Sequence, residues 1–195
     1  VKACKDDATS YYNKTGLKIR FVQPTNLYSA DNVANGVQLR WCPANKVDKY
    51  YVYRKLDGES TFKQIDVISA DKVKKDQFDS CLYVDKDTKN GQVYIYDIKV
   101  SYKGTLSDFS TKTGMTTTRM APLDVTSATA TSKGIKIKWE KSDYATAYRI
   151  FRKEKGVDSE YEDYLRIDNG KTTTVLDQNI ESGKTYEYGV IAICD

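Results

Sequence analysis

Apolar and polar residues alternate with a period of two along most of this chain, as they do in strands that bury one face. From Gly36 to Cys42, Val37, Leu39 and Trp41 share one parity. From Tyr50 to Lys55, Tyr50 and Val52 point inward, while Tyr51, Tyr53 and Lys55 point outward. The longest alternation, Gln92 to Tyr102, sets Tyr94, Tyr96, Ile98 and Val100 on one face and Ile95, Asp97, Lys99 and Ser101 on the other. Shorter strands are expected at Asn26 to Ala30, Phe62 to Asp66 and Cys81 to Asp85, with a turn at Leu56-Asp57-Gly58. A second series follows at Gly134 to Trp139, Ala147 to Lys153, Tyr164 to Asp168, Thr173 to Asp177 and Lys184 to Ile193. In its last member Tyr186, Tyr188, Val190 and Ala192 share a parity.

The two series are one unit written twice. GVQLRWCPANKVDKYYVYRK (36–55) overlays GIKIKWEKSDYATAYRIFRK (134–153) without a gap at an offset of 98. Pro24 and Pro122 stand at the same offset, as do Lys14-Thr15-Gly16-Leu17 and Lys112-Thr113-Gly114-Met115. A small β-domain takes about 100 residues, so this period predicts two domains, 24–121 and 122–195. Residues 1–23 are then the terminal strand region of a preceding repeat, with Leu17 to Phe21 as its last strand. The first unit has 20 positions between Ile65 and Asp85 where the second has 10 between Ile167 and Asp177. The added stretch includes SADKVKKDQF and reads as a helical turn capped by Asp71.

Composition narrows the chemistry. Hydrophobic residues are 39% and charged residues 30% of the 195, which is enough for two modest cores. The net charge of +4 is interspersed, which argues against a nucleic-acid partner. No apolar run approaches the ~20 residues of a membrane helix. The start, VKACKDDATS, lacks the parts of a signal peptide and reads as a mature segment. Histidine is absent, which removes the Ser-His-Asp, Cys-His and His-metal constellations together. The expectation is a chain with no catalytic residues, no cofactor and no bound metal.

The Gly-x-x-Leu/Ile-x-Trp strands (Gly36 to Trp41, Gly134 to Trp139), the Tyr-x-Val/Ile-Tyr/Phe-Arg-Lys strands (Tyr50 to Lys55, Tyr148 to Lys153) and the Gly-x-x-Tyr-x-Tyr-x-Ile/Val runs (Gly91 to Ile98, Gly183 to Val190) resemble the fibronectin type III family. The resemblance is especially to the tandem versions in bacterial secreted and cell-surface proteins. That implies an all-β fold of two tandem immunoglobulin-like (fibronectin type III) β-sandwiches. Each would pair a three-strand with a four-strand sheet, with Trp41 and Trp139 in the two cores. It also implies an extracellular or cell-surface location. Fold does not choose among the family's spacer, adhesion and receptor roles. Neither an Arg-Gly-Asp nor a Trp-Ser-x-Trp-Ser motif is present.

The family's layout also sets Cys42, at the end of the second strand, beside Cys81, at the start of the fifth. A Cys42–Cys81 disulfide closing about 40 residues would contribute roughly 3 to 4 kcal/mol and imply an oxidising compartment; the alternative is two free thiols. No Cys-x-x-Cys spacing points to metal or redox chemistry. Asp85-Lys86-Asp87 weighs calcium against a solvated turn. Glu160, Glu162 and Asp163 weigh glycoside acid-base work against a charged loop. Tyr51, Tyr53, Phe151 and the Tyr11-Tyr12 pair weigh a sugar- or protein-binding platform against packing between repeats or under loops.

The second unit, 122–195, is 74 residues, 24 short of the 98-residue period, and the N-terminal surplus is 23. It therefore lacks its last strand. Either the segment is cut from a longer array, or residues 1–23 of one molecule complete the second domain of another, head to tail, bringing Cys4 near Cys194. Three functions follow: a spacer or adhesion module beside other repeats of the same protein, with the Thr116 to Pro122 junction fixing the interdomain angle; a module binding a surface glycan or protein through Tyr51, Tyr53 or the inserted residues; or an accessory region of a larger secreted hydrolase.

Overall fold

The computed structural model describes residues 18–194 and, by backbone, the paired segments β1 (Cys4–Lys5) and β2 (Ala8–Thr9). The strand-donating role of residues 1–23 and the placement of Cys4 fall largely outside the described residues.

Among the described residues every regular element is a strand, and β3 to β17 sort into two sandwiches, with β1 and β2 paired separately. The first comprises β3 (Leu27–Val33), β4 (Gly36–Trp41), β5 (Lys49–Leu56), β6 (Lys63–Ser69), β7 (Lys74–Lys75), β8 (Cys81–Asp85), β9 (Val93–Tyr102), β10 (Thr105–Leu106) and β11 (Met115–Thr118). One of its sheets runs β3-β4-β8-β7; the other runs β10-β9-β5-β6, with β11 also on β9. The second comprises β12 (Val125–Thr131), β13 (Gly134–Trp139), β14 (Ala147–Glu154), β15 (Glu162–Ile167), β16 (Thr174–Asp177) and β17 (Tyr186–Ile193). Its sheets run β12-β13-β16 and β15-β14-β17. The two units share a common plan, β3-β4-β8 facing β9-β5-β6 and β12-β13-β16 facing β17-β14-β15, but not the expected division into three and four strands: the first adds β7 to one sheet and β10 and β11 to the other, and the second has three strands in each.

Repetition extends to the irregularities. The register of β3 on β4 shifts between Leu27 and Ser29, and that of β12 on β13 between Val125 and Ser127. The β5/β6 shift at Val52/Tyr53 recurs in β14/β15 at Ile150/Phe151. Each bulge turns its strand at an equivalent position in the two units.

Alternation produces the cores as expected. Val37, Leu39, Trp41, Val52, Tyr96, Ile98 and Val100 are fully buried, as are Ile137, Tyr148 and Ile150 in the second unit. Trp41 packs on Tyr50 with ring centroids 5.4 Å apart, and Trp139 on Tyr148 at 5.5 Å. A tyrosine corner is present in each unit: Tyr94 Oη accepts from Lys89 N–H at 2.9 Å, and Tyr186 Oη from Glu181 N–H at 3.1 Å.

Three further expectations are corrected. Residues 18–21 form no strand, and Ile19 and Phe21 are 90% and 81% exposed. Instead Arg20 donates to the Lys103 carbonyl at 3.0 Å and lies over the Tyr102 ring, fastening this stretch to the first sandwich. The inserted residues form no helical turn capped by Asp71. They make a tight turn, with Lys72 N–H donating to Ser69 at 3.0 Å, followed by β7 on the edge of β8. Asp97 and Ser101, placed on an outward parity, are buried: Ser110 and Thr111 fold onto the Asp97 carboxylate, and Ser101 lies between Lys49 and Leu106 in the ladder.

Candidate functional site

Each sandwich carries an Arg-Asp-Tyr cluster that joins its two sheets. β5 supplies Arg54, β8 ends on Asp85 and β9 carries Tyr96. Arg54 Nη1 lies 2.7 Å from Asp85 Oδ2, Tyr96 Oη donates to the same oxygen at 2.8 Å, and Arg54 reaches on to the Asp87 carbonyl. In the second sandwich Arg152 Nη1 meets Asp177 Oδ2 at 2.9 Å, Tyr188 Oη donates to it at 2.8 Å, and Tyr164 Oη adds a third bond at 2.6 Å. Each guanidinium also lies over aromatic rings, Arg54 over Tyr94 and Arg152 over Tyr164 and Tyr186.

Electrostatics follow from this geometry. Burial alone would raise the Asp177 carboxyl, but hydrogen bonds from Tyr164, Arg152, Tyr188 and the Asn179 N–H together hold it below the usual range. Burial, then the adjoining carboxylate, pushes the Tyr96 and Tyr188 phenols up, and Tyr164 to about 12. These clusters lock sheet to sheet. Asp85, weighed as a calcium ligand, is the counter-ion of Arg54; among the described residues no group of three or more His, Cys, Asp or Glu is arranged to hold a metal. Glu160, Glu162 and Asp163 lie exposed, with Asp163 3.3 Å from Arg149.

Tyr51 and Tyr53 share the outer face of the β5/β9 sheet, and both are half-buried. Tyr53 is covered: Phe109 stands edge-on to it at 5.1 Å, Phe62 packs on Phe109 at 4.9 Å, and Lys99 Nζ sits 4.2 Å from the Phe109 ring centre. The segment carrying Phe109 is tied down by Asp97, which accepts from Ser110 N–H at 2.9 Å and Thr111 Oγ1 at 2.8 Å. Phe151, the counterpart of Tyr53, faces Gly189 across the ladder where Tyr53 faces Asp97. Sequence reading missed Asp97 and Phe109 as partners. The one available signal was a carboxylate inside the most apolar strand.

The expected Cys42–Cys81 bond is not formed, and both residues are free thiols. Cys81 pairs opposite Trp41, whose side chain faces the core. Cys42, one residue further, therefore points to the surface, because neighbouring side chains on a strand face opposite ways. Buried Cys81 contacts the Tyr50 hydroxyl at 3.9 Å, and burial raises its thiol. Cys194 is exposed.

The junction after β11 carries a feature with no sequence signature. Arg119, 6% exposed, donates to the carbonyls of Val33 at 3.1 Å, Ala34 at 3.2 Å and Met120 at 2.6 Å. Asn32 accepts from Met120 N–H at 2.9 Å and donates to the Thr118 carbonyl at 2.6 Å; Asn90 accepts from Ala121 N–H at 2.8 Å. The segment leading to the second sandwich is thus stitched onto the first. Beyond it, the Tyr144 ring of the second sandwich lies against Gly91 of the first, where a β-carbon would fall 2.2 Å from that ring.

No protein-family model matches the chain, and no curated protein matches it. Among solved structures, it is similar to the FN1–FN3 domains of chicken CNTN1 at 15% identity and a TM-score of 0.46, covering 89% of this chain and 62% of that one. It is also similar to a two-domain fibronectin type III segment of chicken tenascin at 17% identity and a TM-score of 0.39, covering 88% and 91%. The fold itself is read from the strand order above: an all-β pair of tandem sandwiches.

Proposed function

We propose that this chain is a non-catalytic spacer and adhesion module of a secreted or cell-surface protein, holding its neighbours at a set distance and angle. The observation that carries this reading is the Arg119 clamp. A buried guanidinium spends its donors on carbonyls of the β3–β4 turn and on the junction itself, so the path into the second sandwich is held by hydrogen bonds rather than left as a free linker. The groups with shifted acidity support a structural role: Tyr96, Asp177, Tyr164 and Tyr188 all spend their hydrogen bonds inside the sandwiches.

Two experiments test the reading. An antibody raised against the 195-residue chain is expected to label intact cells of the source; labelling only after permeabilisation contradicts the extracellular placement. Replacing the pair within its parent protein by a flexible Gly/Ser segment of the same length is expected to abolish function that depends on reach. Unchanged function contradicts the spacer role.

A further inference from the structure

The inserted residues that distinguish the first unit end in a loop built around Asp76. Its Oδ1 accepts from Phe78 N–H at 2.9 Å and Ser80 N–H at 3.0 Å, while its own N–H donates to the Ser80 carbonyl at 3.0 Å. Lys75 and Asp79 close an ion pair across it at 2.7 Å. This braced loop raises Phe78 into solvent, 78% exposed, beside Tyr28 at 41%. An aromatic ring has no stability reason to sit there: apolar area left in water forgoes ~25 cal/mol per Å2. The second unit lacks the inserted residues and forms both of its sheets without them.

Phe78 and Tyr28 line one open bowl of about 620 Å3 with Arg40, Asp76, Gln77 and Ser80. Its arginine is already engaged: Arg40 is paired with Asp31 at 2.7 Å and lies 3.7 Å from Asp76, so no unpaired positive charge faces the bowl. Exposed rings bordered by a guanidinium, a carboxylate, an amide and a hydroxyl suit a ligand that is flat and weakly apolar on one face and rich in hydroxyls at its rim. A pyranose ring has that form. A charged ligand would meet an arginine already neutralised, and a peptide helix would need a longer apolar groove than two rings supply.

We propose that this bowl is a binding site for a neutral carbohydrate, with Phe78 as the stacking platform and Gln77, Asp76 and Arg40 reading hydroxyls. The proposal adds a ligand to the module and does not depend on the spacer reading, which concerns the junction. The test is a ¹⁵N-HSQC titration of the 195-residue chain with neutral oligosaccharides of glucose, galactose, mannose and N-acetylglucosamine, repeated with Phe78→Ala and Gln77→Ala. At least one sugar is expected to move the amide peaks of residues 76–80, with binding weakened about tenfold in Phe78→Ala. Because both side chains are at the surface, the remaining spectrum is expected to stay unchanged, which separates lost binding from lost folding. No perturbation by any of these sugars, perturbation away from the bowl, or equal binding by Phe78→Ala overturns the proposal.

Discussion

Arg152 Nη1 and Asp177 Oδ2 meet at 2.9 Å in the second sandwich, where Arg54 and Asp85 meet at 2.7 Å in the first. Each pair joins the end of a strand in one sheet to the end of a strand in the other, and in each a tyrosine hydroxyl completes the carboxylate. The carboxylates are almost wholly buried while the guanidiniums keep some access to water, so only one charge of each pair carries a large desolvation penalty. Removing the arginine therefore strands the more expensive partner. Arg152→Met is expected to destabilise the second sandwich by about 3 kcal/mol, and Tyr188→Phe, which removes one donor, by about 1 kcal/mol. Urea denaturation followed by Trp139 fluorescence measures both; equal effects contradict this ordering.

Acid should act on the second sandwich through the same carboxylate. The folded-state acidity of Asp177 is increased by its donors, so its contribution is complete above the unfolded-state value, near 4. It is lost as pH falls through the lower, folded-state value. Midpoints of thermal unfolding of the second sandwich are expected to fall with pH below about 4, and less steeply in Asp177→Asn. An identical acid slope in that variant contradicts the assignment.

Gly134 is expected to resist substitution for steric reasons. A β-carbon there would lie 2.1 Å from the Asp177 carbonyl oxygen, and one at Gly36 would meet Asp85 at the same distance. Gly134→Ala must push β16 from β13 and displace Asp177 with it. A loss of about 2 kcal/mol is expected, with reduced amide-exchange protection at Val175 and Leu176; unchanged protection contradicts the close approach.

The cysteines separate by reactivity. Cys42 and Cys194 are expected to be alkylated within minutes by iodoacetamide in the native protein, and Cys81 only on unfolding, because its thiol is buried and its acidity lowered. Peptide mapping without reductant checks this. A Cys42–Cys81 cross-linked peptide would contradict the strand register.

Much of this fold was legible in the sequence because strand alternation and an ungapped repeat supply two independent signals. Trp41, Tyr50 and Tyr96 lie where parity puts them. What escaped depended on contacts that no local pattern encodes. Asp97 looked solvent-facing until a segment 13 residues downstream folded over it. Lys74 and Lys75 form an edge strand with no apolar residue to announce it. The Cys42–Cys81 expectation placed two neighbouring strands correctly but paired Cys81 one residue out of step, enough to turn one thiol outward. Arg119, in a polar junction, carries no periodicity, and its role lies wholly in the carbonyls around it.

On the proposed spacer role, the bonds of Arg119, Asn32 and Asn90, which tie the junction to the first sandwich, hold the two sandwiches at one angle. Residual dipolar couplings, measured separately for residues 27–118 and 125–193 in one weakly aligning medium, test it most directly. A single alignment tensor is expected to fit both sandwiches in the native chain, with Arg119→Ala requiring two. Two tensors of different magnitude in the native chain would mean that the sandwiches reorient freely, and would contradict the spacer account.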